Sequence, residues 1–371
     1  MVDTNFWKGK KVFITGHTGF KGAWLCLWLH ALGAEITGYA LKPPTSPSLY
    51  DLCRIDELIN SNIADIRDLS KLRTALVRAK PDIVIHLAAQ PIVRLSYLEP
   101  VKTYEVNVLG TVNILESIRY AVNMGIPIKT FINVTSDKCY ENKEWAWGYR
   151  ENDPLGGYDP YSNSKACSEL ITSAYRNSFF NLKKSQQQGV SISSARAGNV
   201  IGGGDWTTDR LIPDCVRALL SSQTLEIRNT NAIRPWQHVL EPLSGYLILA
   251  QKMHESNCHF AESWNFGPDY QDERTVGWLV HLLVKKWGNE ILIKHIQEKK
   301  IHEAHILKLD CSKSKAELGW YPKWNLETAL DKVIEWTKAY QAGSDVKEVC
   351  LSQIDEYSNS KKGEKDEYSS S

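Results

Sequence analysis

Two side chains four residues apart set the chemistry open to this sequence. Tyr161 and Lys165 bracket Tyr161-Ser162-Asn163-Ser164-Lys165, which opens a helical stretch after the turn-rich Gly156-Gly157-Tyr158-Asp159-Pro160. Residues four apart share one helix face, so the phenol and the ammonium converge. A nearby cation favours phenolate and lowers a tyrosine pKa from its usual value of about 10. The positive nicotinamide of an oxidised cofactor would push the same way. A Tyr and a Lys at this spacing occur by chance on many helices, and the pair gains weight from what precedes it.

What precedes it is Thr15-Gly16-His17-Thr18-Gly19-Phe20-Lys21-Gly22, between an apolar run and a helical one. Gly16 permits a sharp turn, Gly19 lets backbone amides approach a pyrophosphate, and Gly22 lets helix pack on strand. The helix N-terminus then supplies N–H groups and partial positive charge for the anion. The competing reading is a glycine-rich turn with no ligand; a strand before and a helix after favour binding. The acid expected about 20 residues later, to hold the ribose, is missing from Gly38-Tyr39-Ala40-Leu41-Lys42. The motif therefore leaves NAD against NADP open, with Lys42 either a 2′-phosphate ligand or a solvent lysine. Asp65, in Ala64-Asp65-Ile66-Arg67-Asp68, is either an adenine contact or a surface or capping acid.

A third group is Thr135-Ser136-Asp137-Lys138-Cys139-Tyr140, leaving the strand-like run from Lys129 to Thr135. In an open parallel sheet, ligands bind beyond the carboxyl ends of the strands. There, Ser136 can hydrogen-bond a substrate hydroxyl, and Asp137 and Lys138 can act as acid and base. A polar loop facing water is the bland alternative, outweighed by the company of the other motifs. Cys139 is read as a packed bystander.

The elements that must position these groups follow a clear rhythm. Apolar runs at 11–15, 35–39, 82–88, 129–135 and 190–195 alternate with helical stretches, including 107–122. Such βαβ units build a parallel sheet covered on both faces. The expected fold class is α/β: a Rossmann-type doubly wound sheet with a smaller, mixed α/β lobe. The dinucleotide-binding domain is assigned to 1–198 with a return segment at 235–262. The lobe is assigned to 199–234 and 263–345, and a solvated polar tail to 352–371.

The 371 residues carry 44 Lys+Arg and 43 Asp+Glu, a formal net charge of +1. Nothing in that balance would hold a nucleic acid or an acidic membrane, so neither partner is expected and a small molecule is. The hydrophobic share of 43% can build a large core, and the mean hydropathy of −0.34 carries no membrane span. No basic stretch followed by an apolar one marks a secretory signal. Eight scattered cysteines without a CxxC pair suit reduced thiols, so no metal site is expected and a cytoplasmic location is.

Taken together, TGHTGFKG, His86-Leu87-Ala88-Ala89, Asn107-Val108-Leu109-Gly110-Thr111 and YSNSK resemble the extended short-chain dehydrogenase/reductase family, in family order and up to about residue 340. Within it the chain resembles the nucleotide-sugar 4,6-dehydratases, which typically carry Thr-Asp-Glu where Ser136-Asp137-Lys138 stand here. Lysine in place of glutamate is similar to the branch that takes CDP-glucose. So are TSDKCY, WGYREN (147–152), GGYDPYSNSK (156–165), RAGNVIGGGDW (196–206), DRLIP (209–213), RPWQHVLEP (234–242) and HEAH (302–305).

The resemblance implies NAD, held by Gly16, Thr18, Gly19, Phe20, Lys21, Gly22, Asp65, Ile66, Leu87, Ala88, Ala89 and Asn107 together with Tyr161 and Lys165. It implies loss of water from CDP-glucose with no net redox. Tyr161 takes the C4 hydroxyl proton as hydride leaves C4, Ser136 holds the oxygen, Asp137 protonates the departing C6 hydroxyl, and the hydride returns to C6. Lys138 is either the C5 base, which requires it to be neutral, or a cation beside the enolate with another group as base. Asn199, Arg210 and Arg234 fall where the substrate pyrophosphate would lie, and arginine suits its bidentate oxygens. A homo-oligomer, dimer or tetramer, is implied, with 108–121 either its contact or a face buried in its own domain. The product would feed deoxysugars of bacterial surface polysaccharide. An epimerase or reductase on the same scaffold has no need of Asp137, and a silent cofactor-binding regulator has no need of Tyr161 with Lys165.

Overall fold

The strand-like runs form one seven-stranded parallel sheet in the computed structural model, which describes residues 2–180, 189–288, 291–296 and 304–360. Its strands are β1 (Lys11–Thr15), β2 (Glu35–Ala40), β3 (Asn60–Ile63), β4 (Ile83–His86), β5 (Thr130–Val134), β6 (Ser191–Ala197) and β7 (Ser263–Phe266). They lie in the order β7-β6-β5-β4-β1-β2-β3. The chain runs outward one way from β1 to β3, then returns to β4 on the other side of β1 and continues to β7. Thr15 at the end of β1 is in register with Tyr39 on one side and His86 on the other. That reversal opens a crevice beyond the carboxyl ends of β1 and β4.

Alternation along the buried strands sends side chains to opposite faces. Val12, Ile14, Ile83, Ile85, Ile132 and Val134 enter one core with helix α1 (Phe20–Ala31). Phe13, Val84, Phe131 and Ile192 enter the other, against α2 (Leu69–Ala79) and α3 (Gly110–Asn123), with α4 (Pro160–Ser178) alongside. From Gly22 to Leu29, α1 buries every residue. Such a helix needs cover on all sides, and the helix Val346–Asn359 supplies part of it, with the Tyr357 ring 5.6 Å from that of Trp28.

That last helix corrects the expected tail. Residues 352–359 are helical, and Val346, Cys350, Gln353, Ile354 and Tyr357 are buried at helical spacing among polar neighbours. Residues 361–371 lie outside the described residues. The lobe boundary also differs from expectation, because β7 is an edge strand of the main sheet, with Trp264 and Phe266 fully buried. The return to the first domain therefore runs on through Phe266, and Leu307, Leu309 and Trp320 pack in that domain's core too. The second lobe has its own core, in which Ile212, Leu219, Leu279, Leu283, Leu330 and Val333 bring together the helices Leu211–Ser221, Val276–Trp287 and Leu326–Gln341.

Candidate active site

The β1–α1 turn is built for close approach. Gly16 has φ +82°, and a Cβ on it would stand 2.7 Å from the nitrogen of Ala88, two residues beyond β4. A Cβ on Gly22 would land on the Gly16 carbonyl oxygen. No side chain caps α1 at Gly19, so the first amides of a 12-residue helix are left to an external acceptor. Thr18 donates its hydroxyl to the Leu41 carbonyl at 2.8 Å, tying the turn to the loop after β2. These features fit a dinucleotide pyrophosphate.

The turn opens into a cleft of about 1470 Å³, larger than the roughly 300–1,000 Å³ typical of a site for one small ligand. Gly16, Thr18, Gly19, Phe20, Lys21, Gly22, Asp65, Ile66, Leu87, Ala88 and Ala89 line it. So do Ser136, Asp137, Lys138, Tyr161 and Lys165, and Asn199, Arg210 and Arg234. Of the residues singled out in the sequence, Asn107 stands apart. Its amide donates to the Gln90 carbonyl at 3.1 Å and to Ser164 Oγ at 2.9 Å, and it accepts from the Gln90 nitrogen at 2.8 Å. It is a buried tie between the β4 exit and α4, with its hydrogen bonds directed to protein.

Asp65 lines the cleft, but Arg67 holds its carboxylate at 2.7 Å and keeps its pKa below the ordinary range. Lys42 is exposed at the cleft edge. The cores behind the site are polar as well as apolar: His86 contacts Thr15 Oγ1 at 2.6 Å and Thr111 Oγ1 at 3.4 Å. Burial, then the charge on Lys165, lowers the His86 pKa to about 3, so this histidine is neutral.

Helix α4 starts where its sequence says it should. Asp159 accepts from the Ser162 nitrogen at 3.0 Å and Pro160 occupies the first turn. Tyr161 and Lys165 are thereby buried one turn apart, and Lys165 Nζ donates to the Val134 carbonyl, the last residue of β5, at 3.4 Å. Beyond β5, Ser136 caps a short turn at 137–139 and donates to Asp137 Oδ1 at 3.0 Å. Asp137 Oδ2 is buried without a protein partner, and Lys138 Nζ stands 3.9 Å from Oδ1. A buried, unpaired carboxyl oxygen is costly, and this one belongs to a residue that lines the cleft.

The electrostatics depart from the simple Tyr–Lys expectation. Burial pushes the Tyr161 phenol up to about 12; Ser136 and Arg210 oppose the rise, while Asp137 adds to it. Burial lowers Lys165 to about 8, with Glu169 opposing. Lys21 falls to about 7 through burial, then Arg210 and Lys165, with Asp137 opposing. Two buried amines therefore titrate near neutrality in one cleft.

Glu169 was not foreseen, although it extends the four-residue spacing of Tyr161 and Lys165. It is almost fully buried, accepts two hydrogen bonds at 3.0 Å from the Arg196 guanidinium, and takes the Thr135 hydroxyl at 2.5 Å. Arg210 Nη1 pairs with Asp205 at 3.1 Å and Arg234 donates to the Ile233 and His305 carbonyls. Asn199 Oδ1 is buried without a partner. His302 and Glu303 of HEAH lie outside the described residues. Among the described residues, no group of three or more His, Cys, Asp or Glu could hold a metal ion, and no helix is long and apolar enough to cross a membrane.

The model of the family described as GDP-mannose 4,6 dehydratase matches residues 13–333. The chain is 54% identical over 357 residues to the CDP-glucose 4,6-dehydratase of Salmonella typhimurium, covering 96% of this chain and 98% of the relative. Its fold is similar to that of DesIV, a dTDP-glucose 4,6-dehydratase of Streptomyces venezuelae solved with NAD bound. The TM-score is 0.76 at 23% identity, covering 90% of this chain and 98% of that one. The epimerase Mth375 of Methanothermobacter thermautotrophicus gives the same TM-score at 21% identity, covering 91% and 95%. The scaffold therefore does not separate dehydration from epimerisation, and the side chains in the cleft must.

Proposed function

The chain belongs to the GDP-mannose 4,6 dehydratase family, and from that premise we propose that it dehydrates CDP-glucose to CDP-4-keto-6-deoxyglucose. The choice of CDP-glucose follows the Salmonella relative. The choice of dehydration rests on Asp137, a buried acid with one oxygen unsatisfied beside Ser136 and close enough to influence Tyr161. Epimerisation or simple reduction has no hydroxyl to expel and no use for it.

The β1–α1 turn with Asp65, Ile66, Leu87, Ala88 and Ala89 would hold NAD, which when bound would supply the hydride acceptor for C4 and the hydride donor for C6. The protein's own groups move the protons. Tyr161 Oη takes the C4 hydroxyl proton while Ser136 hydrogen-bonds the same oxygen. A phenol near 12 is a poor base at neutral pH, so it needs positive charge from Lys165 and from the cofactor ring. The C4 ketone then acidifies C5–H. Asp137 donates a proton to the leaving C6 hydroxyl, which departs as water, as the C5 proton is removed. Lys138 is the assigned partner in that removal, as neutral base or as cation beside the enolate. A proton returned to C5, and passage of the proton held on Tyr161 to Asp137, restore the starting state, and the only loss is one water.

Asn199, Arg210 and Arg234, which line the same cleft, are the proposed ligands of the substrate diphosphate. Leu98, Val101, Leu109 and Leu170 are exposed apolar side chains on the segments around α3 and α4, which supports self-association through this side into a dimer or tetramer. The enzyme would work in the cytoplasm, early in the synthesis of deoxysugars for surface polysaccharide. Competition among CDP-, dTDP-, GDP- and UDP-glucose, read by formation of the 4-keto product, tests the assignment. Preferred turnover of another nucleotide sugar overturns the substrate, and C4-inverted sugar overturns the reaction.

A further inference from the structure

Asp209 has φ +59°, in the left-handed region that a residue other than glycine enters at a cost. Its Oδ1 receives two guanidiniums: Arg94 Nη1 at 3.3 Å and Arg228 Nη2 at 3.5 Å. Arg94 comes from the helix Val93–Leu98 of the dinucleotide domain, and Arg228 directly follows the strand Leu225–Ile227 of the second lobe. One carboxylate thus joins arginines from the two lobes, and all three residues line the cleft. Next to it in the chain, Arg210 is engaged in the same manner by Asp205.

The pairs at Asp209 are partly solvated, with side chains 26%, 28% and 40% exposed for Arg94, Arg228 and Asp209. Ion pairs of that kind are weak and exchangeable. A phosphate offers the same guanidiniums more oxygens, more charge and bidentate geometry. We propose that Arg94 and Arg228 are further ligands for the phosphates of the nucleotide-sugar substrate, and that Asp209 is a built-in competing anion which the substrate displaces. The inference rests on the reading of the cleft as a nucleotide-sugar site. Exchange of carboxylate for diphosphate keeps the two lobes tied, but through the ligand. It also makes the site selective, because a neutral nucleoside gives the arginines nothing in return for Asp209. Binding is then weaker than the arginines alone would allow, by the fraction of molecules in which Asp209 holds them.

The test is binding of CDP and of cytidine, by calorimetry, to the intact protein, to Asp209→Asn and to Asp209→Asn/Arg228→Gln. Asparagine keeps the size and tolerates positive φ, so the first variant removes charge with little disturbance of the loop. Asp209→Asn is expected to bind CDP about three- to tenfold more tightly with cytidine unchanged, and adding Arg228→Gln to lose about tenfold for CDP. Unchanged or weaker CDP binding by Asp209→Asn, or equal gains for CDP and cytidine, would overturn the proposal. UDP, dTDP and GDP are measured alongside. If one of them binds best, the CDP reading falls while the variant-to-native ratio for that ligand still decides the role of Asp209. If no nucleoside diphosphate binds, both fall.

Discussion

Ser136 donates its hydroxyl to Asp137 Oδ1 at 3.0 Å, while Oδ2 of the same side chain is buried without a partner. Chain neighbours thereby divide the work at C4 and C6. The serine can serve the oxygen being oxidised, while the acid keeps a free oxygen for the group being expelled. Asp137→Asn keeps the shape and removes the proton donor. It is expected to lower formation of the 4-keto-6-deoxy product by about 10²- to 10⁴-fold while leaving C4 oxidation active. The check is a single-turnover experiment following absorbance of reduced nicotinamide, which should rise and persist. Equal loss of both steps would place Asp137 in the C4 chemistry instead.

Burial sets Lys165 near 8 in the fold against 10.5 for the free side chain. Between those values the unfolded chain binds the proton that the folded chain lacks. This lysine's contribution to stability therefore rises with pH across that window and is least favourable below it. Lys165→Met is expected to be more stable than the native chain by roughly 3 kcal/mol at neutral pH, with the gap closing as pH rises from about 8 toward 10.5. Denaturant unfolding at several pH values measures it. The same variant is expected to lose C4 oxidation by about 10²-fold or more, because the phenol of Tyr161 then lacks its nearest amine on α4.

Lys138→Ala distinguishes the two roles open to that residue. As the C5 base, its loss should slow exchange of the C5 proton with deuterated solvent by about 10²-fold or more, with C4 oxidation near normal. Normal C5 exchange would remove it from the base role and leave it as a cation beside the enolate.

Asn107 makes three hydrogen bonds to Gln90 and Ser164 and none into the cleft. Asn107→Ala is expected to cost about 1–3 kcal/mol of stability, since it strands buried partners. It should also lower kcat more than it weakens NAD binding, because it loosens the seat of α4. A large loss of NAD affinity with unchanged kcat would restore a direct role in holding the cofactor.

These assignments separate what could be read along the chain from what could not. The β1–α1 turn and the Tyr161–Lys165 pair are local: glycine spacing and helix period carry them, and the fold put each where its pattern implied. Asn107 sits in an equally recognisable run, but its partners are 17 and 57 residues away, so its role as a tie depends on sheet topology. The helix ending at Asn359 was hidden by composition. Its apolar side chains keep the helical spacing, but Lys, Glu, Ser and Asp between them dominate any average. Ser263–Phe266 is too short to show a period, and only its pairing with β6 assigns it to the main sheet. The meeting of Arg94, Asp209 and Arg228 joins segments from both lobes, and spacing along the chain carries no trace of it.

The central claim is that hydride leaves C4 and comes back to C6 of the same sugar. CDP-glucose deuterated at C4, incubated with enzyme and NAD in ordinary water, measures that directly by NMR of the product. The account predicts deuterium in the C6 methyl group of a 4-keto sugar, with none lost to solvent. Deuterium retained at C4 of an inverted sugar, or absent from C6 of the keto product, would contradict it.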